Sequence, residues 1–310
     1  MIDIFRSFAG YIELQQAQKG CWINVINPTS EEVELLQKEY KVAPEIIQDI
    51  LDADERPRLE QDDEWTLVIL RVPVANTNNG IPFSTVPLGV FITADFTITI
   101  CSTMNEVLPS KQPSIYREHY QQVTDVFNFI LKLFYRAAST YLYYLKQINY
   151  QTSLIEADLE KSIRNKELLK LLRMEKCLVY FITSLKANEV VLAKIKNSKK
   201  MIISEINEDL YEDAIIENKQ AIDTAQIYSD IQSSLMDAFA SIISNNLNSV
   251  MKQLTLVSII LMIPTLIASL YGMNVPNYLE TNIWAFPAIL MFSGIAAFFS
   301  VLAFRKRNWF

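Results

Sequence analysis

Two long runs without a charged residue lie close together at the C-terminal end of the chain. The first covers residues 254–271 and the second residues 284–304. Each is near the ~20 residues that a helix needs to cross a hydrocarbon layer of ~30 Å. Two buried core helices are the alternative, but the proximity of the runs, their lengths and the basic residues after the second one favour membrane spans. The sequence therefore predicts an integral membrane protein with a large body outside the bilayer.

Basic residues flank these runs on one side only. Lys252 precedes the first run and Arg305-Lys306-Arg307 follow the second, whereas residues 272–283 between them contain no Lys or Arg. Positively charged flanks remain on the cytoplasmic side of a membrane. We therefore expect a protein of the plasma membrane or inner membrane, in contact with membrane lipids, with both termini in the cytoplasm and the connecting loop outside.

Composition argues against several other classes of protein. The 35 acidic and 28 basic residues give a net charge of −7, whereas a nucleic-acid binder needs a basic surface. The three cysteines form no CxxC pair and His119 is the single histidine, so neither a structural zinc site nor a transition-metal enzyme is indicated. The sequence contains no GxxxxGK[ST] phosphate loop and no recognisable nucleophile–base arrangement. We expect no nucleic-acid partner and no enzyme activity.

Glycine and proline placement divides the rest of the chain. No proline occurs between Pro113 and Pro264, and no glycine occurs between Gly89 and Gly272. Because both residues interrupt helices, this stretch predicts long helices, and the aromatic residues of the first of them are interpreted as core. The three predicted helices cover residues 122–148, 150–198 and 203–271.

The pattern before residue 113 is typical of a compact α/β domain. Runs of β-branched and aromatic residues predict strands, and Thr29-Ser30 followed by Glu31-Glu32 predicts a capped helix start. A tight turn is expected at Ala94-Asp95. The predicted strands cover residues 21–26, 65–74, 88–93 and 96–102, and the predicted helices cover residues 30–39 and 44–53.

The predicted fold class is α+β, with three parts in chain order. An N-terminal α/β cytoplasmic domain occupies residues 1–120, and a helical domain with a long stalk occupies residues 121–250. Two C-terminal transmembrane helices occupy residues 251–310.

The first membrane run carries polar residues along one helix face. They follow one another at alternating spacings of three and four, so they share a face, while the other faces are mostly Leu, Ile and Val. A helix with such a face either packs on a neighbour or lines water. This set, called the polar stripe below, consists of five polar residues with two methionines in the same phase: Asn248, Met251, Thr255, Ser258, Met262, Thr265 and Ser269.

Aspartates continue in the same phase upstream. Asp223, Asp230 and Asp237 are spaced by seven residues, and further steps of seven reach the polar stripe. A straight helix drifts by ~20° per heptad, so this continuity needs supercoiling or a broad face. The aspartates are either a solvated face or, if copies of the helix surround an axis, rings that concentrate cations. Because one chain with two spans cannot enclose a water-filled path, a pore requires a homo-oligomer.

The end of the first span resembles the signature of the CorA family of magnesium channels. Tyr271-Gly272-Met273-Asn274 stands at the end of the penultimate span, before a short loop and a second span that ends in basic residues. The resemblance covers most of the chain and is strongest over residues 205–310. Trp22-Ile23, Asn27-Pro28 and Arg56-Pro57-Arg58 resemble further family landmarks more weakly.

This resemblance implies a funnel-shaped homopentamer whose long helix lines a pore for Mg²⁺. Asn274, with Gly272 and Met273, is implied as the external ring that selects the hydrated ion, and Gly272 is expected to let the backbone turn past the helix end. Asp213 matches an acid that binds regulatory Mg²⁺ at a subunit interface. By matching positions, Asn248 and Thr265 are polar pore rings, Met251, Leu254 and Met262 form an apolar constriction, and Asp237 is an acidic ring. Spacing alone adds Thr255, Ser258, Ser269 and Asp230 to the pore-lining set.

The sequence departs from the family pattern in two places. The hairpin at residues 74–80 has no acid to pair with Asp213, and Glu280 is the sole acid of the external loop. Two other functions stay open at this point. One is transport of Co²⁺, Ni²⁺ or Zn²⁺ by a member of the same superfamily, and the other is a membrane-anchored helical scaffold without transport.

Overall fold

The N-terminal part of the chain folds around a six-stranded mixed sheet. The computed structural model describes residues 1–8, 12–76, 80–109, 125–161, 165–198, 208–273 and 283–306. They form two compact units, Met1–Met236 and Asp237–Phe310, and the predicted three-part division stays a prediction. The strands are β1 (Ile2–Phe5), β2 (Cys21–Ile26), β3 (Arg58–Gln61), β4 (Trp65–Ala75), β5 (Phe83–Thr93) and β6 (Phe96–Cys101).

The strand order is β1-β2-β6-β5-β4-β3, and every pair is antiparallel except the parallel pair of β2 and β6. The predicted tight turn is confirmed, because β5 and β6 form a hairpin in which Thr93 Oγ1 accepts the Phe96 amide at 3.0 Å. β5 begins earlier than predicted, at Phe83, although Pro87 lies within it. Proline has no N–H to donate, but no hydrogen bond to β6 is lost at Pro87, because the pairing with β6 ends at Leu88, opposite Cys101.

Both faces of the sheet are covered by helices. Along β4 the side chains alternate, so Leu67 and Ile69 enter one core while Val68, Leu70 and Val72 enter the other. The first core is closed by two short helices, α1 (Ser30–Lys38) and α2 (Pro44–Leu51). The predicted start of α1 is confirmed, since Thr29 and Glu32 form a reciprocal capping box.

Four long helices follow the sheet. The predicted break near residue 150 is wrong: the first long helix continues to Lys161, because Ile155 and Leu159 extend its buried face and no glycine or proline interrupts it. The aromatic residues of this helix are core as predicted at Phe129, Phe134 and Tyr141, whereas Tyr143 is exposed. The helices are α3 (Val126–Lys161), α4 (Asn165–Lys196), α5 (Glu208–Tyr271) and α6 (Ala285–Lys306).

One asparagine ties α4 to the sheet. Asn188 is 1% exposed, and its Oδ1 accepts the Arg71 amide at 2.9 Å while its Nδ2 donates to the Arg71 carbonyl at 2.8 Å. The Tyr141 hydroxyl donates to the same carbonyl at 3.2 Å. Arg71 lies on β4 beyond the end of β3, which pairs only as far as Ile69. The amide side chain therefore replaces the strand partner that this peptide unit lacks.

Candidate functional site

The two predicted membrane spans are confirmed as helices of sufficient length and apolarity. They are the C-terminal part of α5 and the segment Ala285–Phe304 of α6. Only 6% of the residues in the most apolar window of each helix are buried inside the chain. A core helix of a soluble protein would be mostly buried, so these surfaces need a cover that the single chain does not supply.

α5 has a covered apolar face within the C-terminal unit. Leu256 is 2% exposed, and Ile260, Ile263 and Ile267 are partly covered. These residues are spaced by three or four positions, so they share one side of the helix. This side has no polar side chain among the four, and within the run 254–271 it is the side that its own chain shields best.

The polar stripe lies on the opposite side of α5. At 3.6 residues per turn, its centre is roughly 145° from the centre of the face around Leu256. Every member is exposed in the single chain, including Met262 at 69%, and so is Leu254. The polar side chains are thus neither packed in the core nor turned toward the covered face. Their own chain leaves them open to a neighbour outside it, and a second copy or water suits polar side chains better than lipid does.

Two hydroxyls of the stripe bond back to their own helix. Ser258 Oγ donates to the Leu254 carbonyl at 2.9 Å, and Thr265 Oγ1 donates to the Leu261 carbonyl at 2.7 Å. Because the hydroxyl proton is used inside the helix, each oxygen presents lone pairs outward. Such a surface accepts hydrogen bonds, and the water molecules around a hydrated cation donate them.

The signature residues stand where α5 ends. The helix closes at Tyr271, and the Gly272 amide still donates to the Ala268 carbonyl at 2.9 Å. The chain leaves the helix in a turn at Gly272, as expected, although this glycine is not in the left-handed region. A Cβ there would lie 3.3 Å from the Ala268 oxygen, which is a tight contact. Met273 is 53% exposed, and Asn274 lies outside the described residues.

The four aspartates of α5 named above are at the surface. Asp213, Asp223, Asp230 and Asp237 are exposed, and none forms an ion pair with another described residue. Asp230 accepts a hydrogen bond from Gln226 Nε2 at 3.0 Å. Among the residues with described side chains, no three His, Cys, Asp or Glu residues are grouped as a metal site. A cation held at Asp213 would need ligands from elsewhere.

Asp213 has a basic neighbour that the sequence did not indicate. Burial lowers the pKa of Lys132 on α3, and the negative charge of Asp213 acts in the opposite direction. The Lys132 ammonium also lies 5.2 Å from the ring centroid of Tyr135. No spacing rule relates Lys132 to Asp213, because the two residues are on different helices and meet only through tertiary packing.

A mixed-sheet domain followed by long helices and two C-terminal apolar helices defines a two-span membrane protein. Over residues 17–306 the chain matches the family described as CorA-like Mg2+ transporter protein. It belongs to this family, which is a family of transporters and not a class of enzymes.

Curated relatives and solved structures agree with this assignment. The cobalt/magnesium transport protein CorA of Methanocaldococcus jannaschii is 28% identical over 93% of this chain and 90% of its own length. The protein of the same name from Thermotoga maritima is 22% identical over 99% of this chain and 90% of its own length. The complete structure of the CorA magnesium transporter from M. jannaschii shares the fold, with a TM-score of 0.82 and 24% identity. The superposition covers 100% of this chain and 99% of the M. jannaschii chain.

Proposed function

We propose that this chain is the subunit of a magnesium channel that carries Mg²⁺ into the cell down its electrochemical gradient. The observation that carries the proposal is the polar stripe, which is exposed on α5, extends along its uncharged run of residues 254–271 and lies away from the face that the chain itself covers. Lipid disfavours such a surface, whereas a water-filled axis matches it. The names of the CorA relatives support magnesium as the ion.

The channel is a homo-oligomer, and the family resemblance indicates a funnel-shaped pentamer. In this arrangement each copy of α5 contributes its stripe to a shared axis, and Asp230 and Asp237 form acidic rings that raise the local cation concentration. Both termini lie in the cytoplasm and the loop after Gly272 lies outside, as the basic flanks predict. Lipid covers the remaining apolar surface of the two spans.

Recognition rests on the hydrated ion. Mg²⁺ dehydrates reluctantly and keeps several waters, so amide and hydroxyl oxygens that accept hydrogen bonds from those waters suit it. Asn274 supplies such oxygens at the outer mouth, and Thr265 and Ser258 supply them along the axis. None of these groups carries a full charge that would trap the ion. Met251, Leu254 and Met262 form the apolar constriction that closes the path.

The membrane potential suffices to drive entry. Two positive charges that move through 100 mV gain ~4.6 kcal/mol. A passive path of this kind needs a gate. In the proposed gate, intracellular Mg²⁺ binds at Asp213 between subunits and stabilises the closed state, with further ligands from the neighbouring copy. Linkage requires that the ion bind the closed state more tightly than the open one.

Replacing Asp213 by alanine is expected to leave the channel open at millimolar internal Mg²⁺, because the acid that would hold the regulatory ion is gone. Flux into liposomes that contain the purified protein, measured at rising internal Mg²⁺, checks this. Glu189→Ala removes an exposed acid from α4 and serves as the control that still closes. An Asp213→Ala channel that closes at the same internal concentration as the unmodified chain excludes Asp213 as the sensor.

Magnesium uptake by the intact protein tests the function itself. Liposomes loaded with a magnesium-sensitive dye are expected to fill when the protein is present and an inward gradient is applied. Competition by Co²⁺, Ni²⁺ and Zn²⁺ in the same assay ranks the ions. If one of these three crosses faster than Mg²⁺, that ion is the transported ion and the assignment of magnesium is wrong. Absence of flux for all four ions would favour the membrane-anchored scaffold.

A further inference from the structure

A cavity of about 510 Å³ opens on the N-terminal unit, between the segment after α2, the strands β4 and β5, and α4. Small-molecule sites are usually clefts of about 300–1,000 Å³. The cavity shares no residue with the polar stripe or with the acids of α5. We propose that it binds a small organic anion, in which a carboxylate or phosphate group is carried by a ring or a short apolar body.

Arg71 forms a fixed, half-buried cation in the cavity wall. Its Nε donates to Thr85 Oγ1 at 3.1 Å, Nη1 to the Glu55 carbonyl at 2.8 Å and Nη2 to the Thr85 carbonyl at 2.8 Å. Its own peptide groups are held by Asn188, so the backbone is fixed as well. A guanidinium has five N–H donors, and these three bonds leave two of them for a further acceptor.

The charge of Arg71 has no counter-ion within the described part of the chain. All three of its acceptors are neutral oxygens. No described carboxylate oxygen lies within 4.0 Å of its guanidinium nitrogens, which is the limit for an ion pair. Arg58 shows the contrast, because its guanidinium bonds to Asp49, Glu55 and Glu60 together. Since arginine is seldom buried without a partner charge, Arg71 is suited to an anion that arrives from solution.

Other lining groups define what kind of anion fits. Arg56 supplies a second, exposed cation at the rim. Ser184 Oγ donates to Thr85 Oγ1 at 2.9 Å, and Thr183 Oγ1 donates to the Val179 carbonyl at 2.8 Å. These hydroxyl protons are used within the protein, so the arginines carry the donors for an anion. Tyr180 is 45% exposed and offers a flat ring on which the body of a ligand can rest. The cavity thus combines a seat for an acidic group with an aromatic platform.

Two acids also line the cavity, and their placement limits the repulsion they exert. The Glu55 carboxylate is held by Arg58, which it shares with Asp49 and Glu60, so its charge is partly offset and its position is fixed away from Arg71 by that ion pair. Asp54 is exposed at the rim, where water screens its charge. Neither carboxylate forms an ion pair with Arg71, so the Arg71 guanidinium is available to pair with an acidic group of the ligand.

Direct binding to the full-length protein in detergent tests this proposal. Isothermal titration without Mg²⁺ uses three probes: adenosine 5′-monophosphate, succinate and inorganic phosphate. At least one organic probe is expected to bind one site per chain with a Kd below about 1 mM. Inorganic phosphate is expected to bind at least about tenfold more weakly, because it has no body to rest on Tyr180. The comparison of the two organic probes distinguishes a phosphate from a carboxylate ligand.

Three variants connect the binding to this cavity. Arg56→Ala, which removes an exposed side chain, is expected to weaken binding at least about tenfold, and Tyr180→Ala at least about fivefold. Arg173→Ala removes an exposed arginine from the same helix outside the cavity and is expected to bind as the unmodified chain does. The proposal is overturned if no organic probe binds with a Kd below about 1 mM, if phosphate binds as tightly as both organic probes, or if Arg56→Ala binds unchanged.

Discussion

Replacing Asn274 by alanine is expected to abolish magnesium uptake while the protein still folds and assembles. The amide oxygen is the group proposed to accept hydrogen bonds from the hydration shell, and alanine offers none. Each such bond is worth about 1 kcal/mol, and an oligomer loses one in every copy. The summed loss for several copies corresponds to a fall in flux of roughly hundredfold or more. Dye-loaded liposomes measure it.

Asn277→Ala is the matched control for this experiment. It removes an asparagine from the same loop but outside the signature, and it is expected to transport as the unmodified chain does. Size-exclusion chromatography establishes that both variants assemble. Full magnesium flux through an assembled Asn274→Ala channel would remove the selectivity role from this residue.

Replacing Asn188 by alanine is expected to lower the stability of the N-terminal unit by about 2–4 kcal/mol. The substitution leaves the Arg71 amide without an acceptor, while the Arg71 carbonyl loses one of its two donors and keeps the Tyr141 hydroxyl. The unsatisfied amide costs about 1–3 kcal/mol, and the hydrogen bond lost at the carbonyl costs about 1 kcal/mol more. A domain of this size loses about 2–4 °C in melting temperature per kcal/mol, so a fall of roughly 5–10 °C is expected. Fluorescence of the buried Trp22 and the partly buried Trp65 follows the unfolding.

The control for Asn188 lies on the same segment. Asn197 is exposed, and its Nδ2 donates only to the nearby Ala193 carbonyl, so Asn197→Ala is expected to melt within about 2 °C of the unmodified chain. Asn188→Asp keeps the acceptor but loses the donor, and it is expected to be destabilised as well. Melting of Asn188→Ala at the temperature of the control would contradict the role assigned to this contact.

Local patterns in the sequence were sufficient for the central strands and the long helices. The runs at β2, β4 and β6 are β-branched and apolar, and the absence of glycine and proline over most of the chain predicts helices of the observed kind. The edge strands β1 and β3 were not predicted: β1 has apolar residues around Asp3 but is only four residues long, and β3 has no such signal. β3 contains Arg58 and Glu60, and it is held by pairing with β4 and by ion pairs that join residues distant in the sequence, such as Arg58 with Asp49.

The candidate site was predictable only as far as helical periodicity reaches. Spacing places Ser258, Met262 and Thr265 on one face, and the structure adds that this face, like most of the membrane run, is left uncovered by its own chain. Spacing does not reveal that the hydroxyls of Ser258 and Thr265 donate back to the helix. It also gives no sign of Lys132 beside Asp213, nor of the Asn188 contact, since both depend on packing between separate helices and strands.

The native cysteines allow the central claim to be tested by chemical labelling. Cys21, Cys101 and Cys177 are all buried. Burial raises the pKa of all three thiols, that of Cys177 to about 11, so little reactive thiolate is present at neutral pH. A cysteine introduced into a wet part of α5 is therefore expected to react well ahead of these three.

The decisive measurement is the reaction of Ser269→Cys in membranes with a methanethiosulfonate that carries a quaternary ammonium group, applied from outside. If copies of α5 surround a water-filled axis, this stripe cysteine is expected to react at least about tenfold faster than Ile260→Cys on the covered face, since only thiolate in contact with water is attacked. Equal and slow reaction of the two cysteines would place the polar stripe against lipid or protein and would contradict the proposed pore.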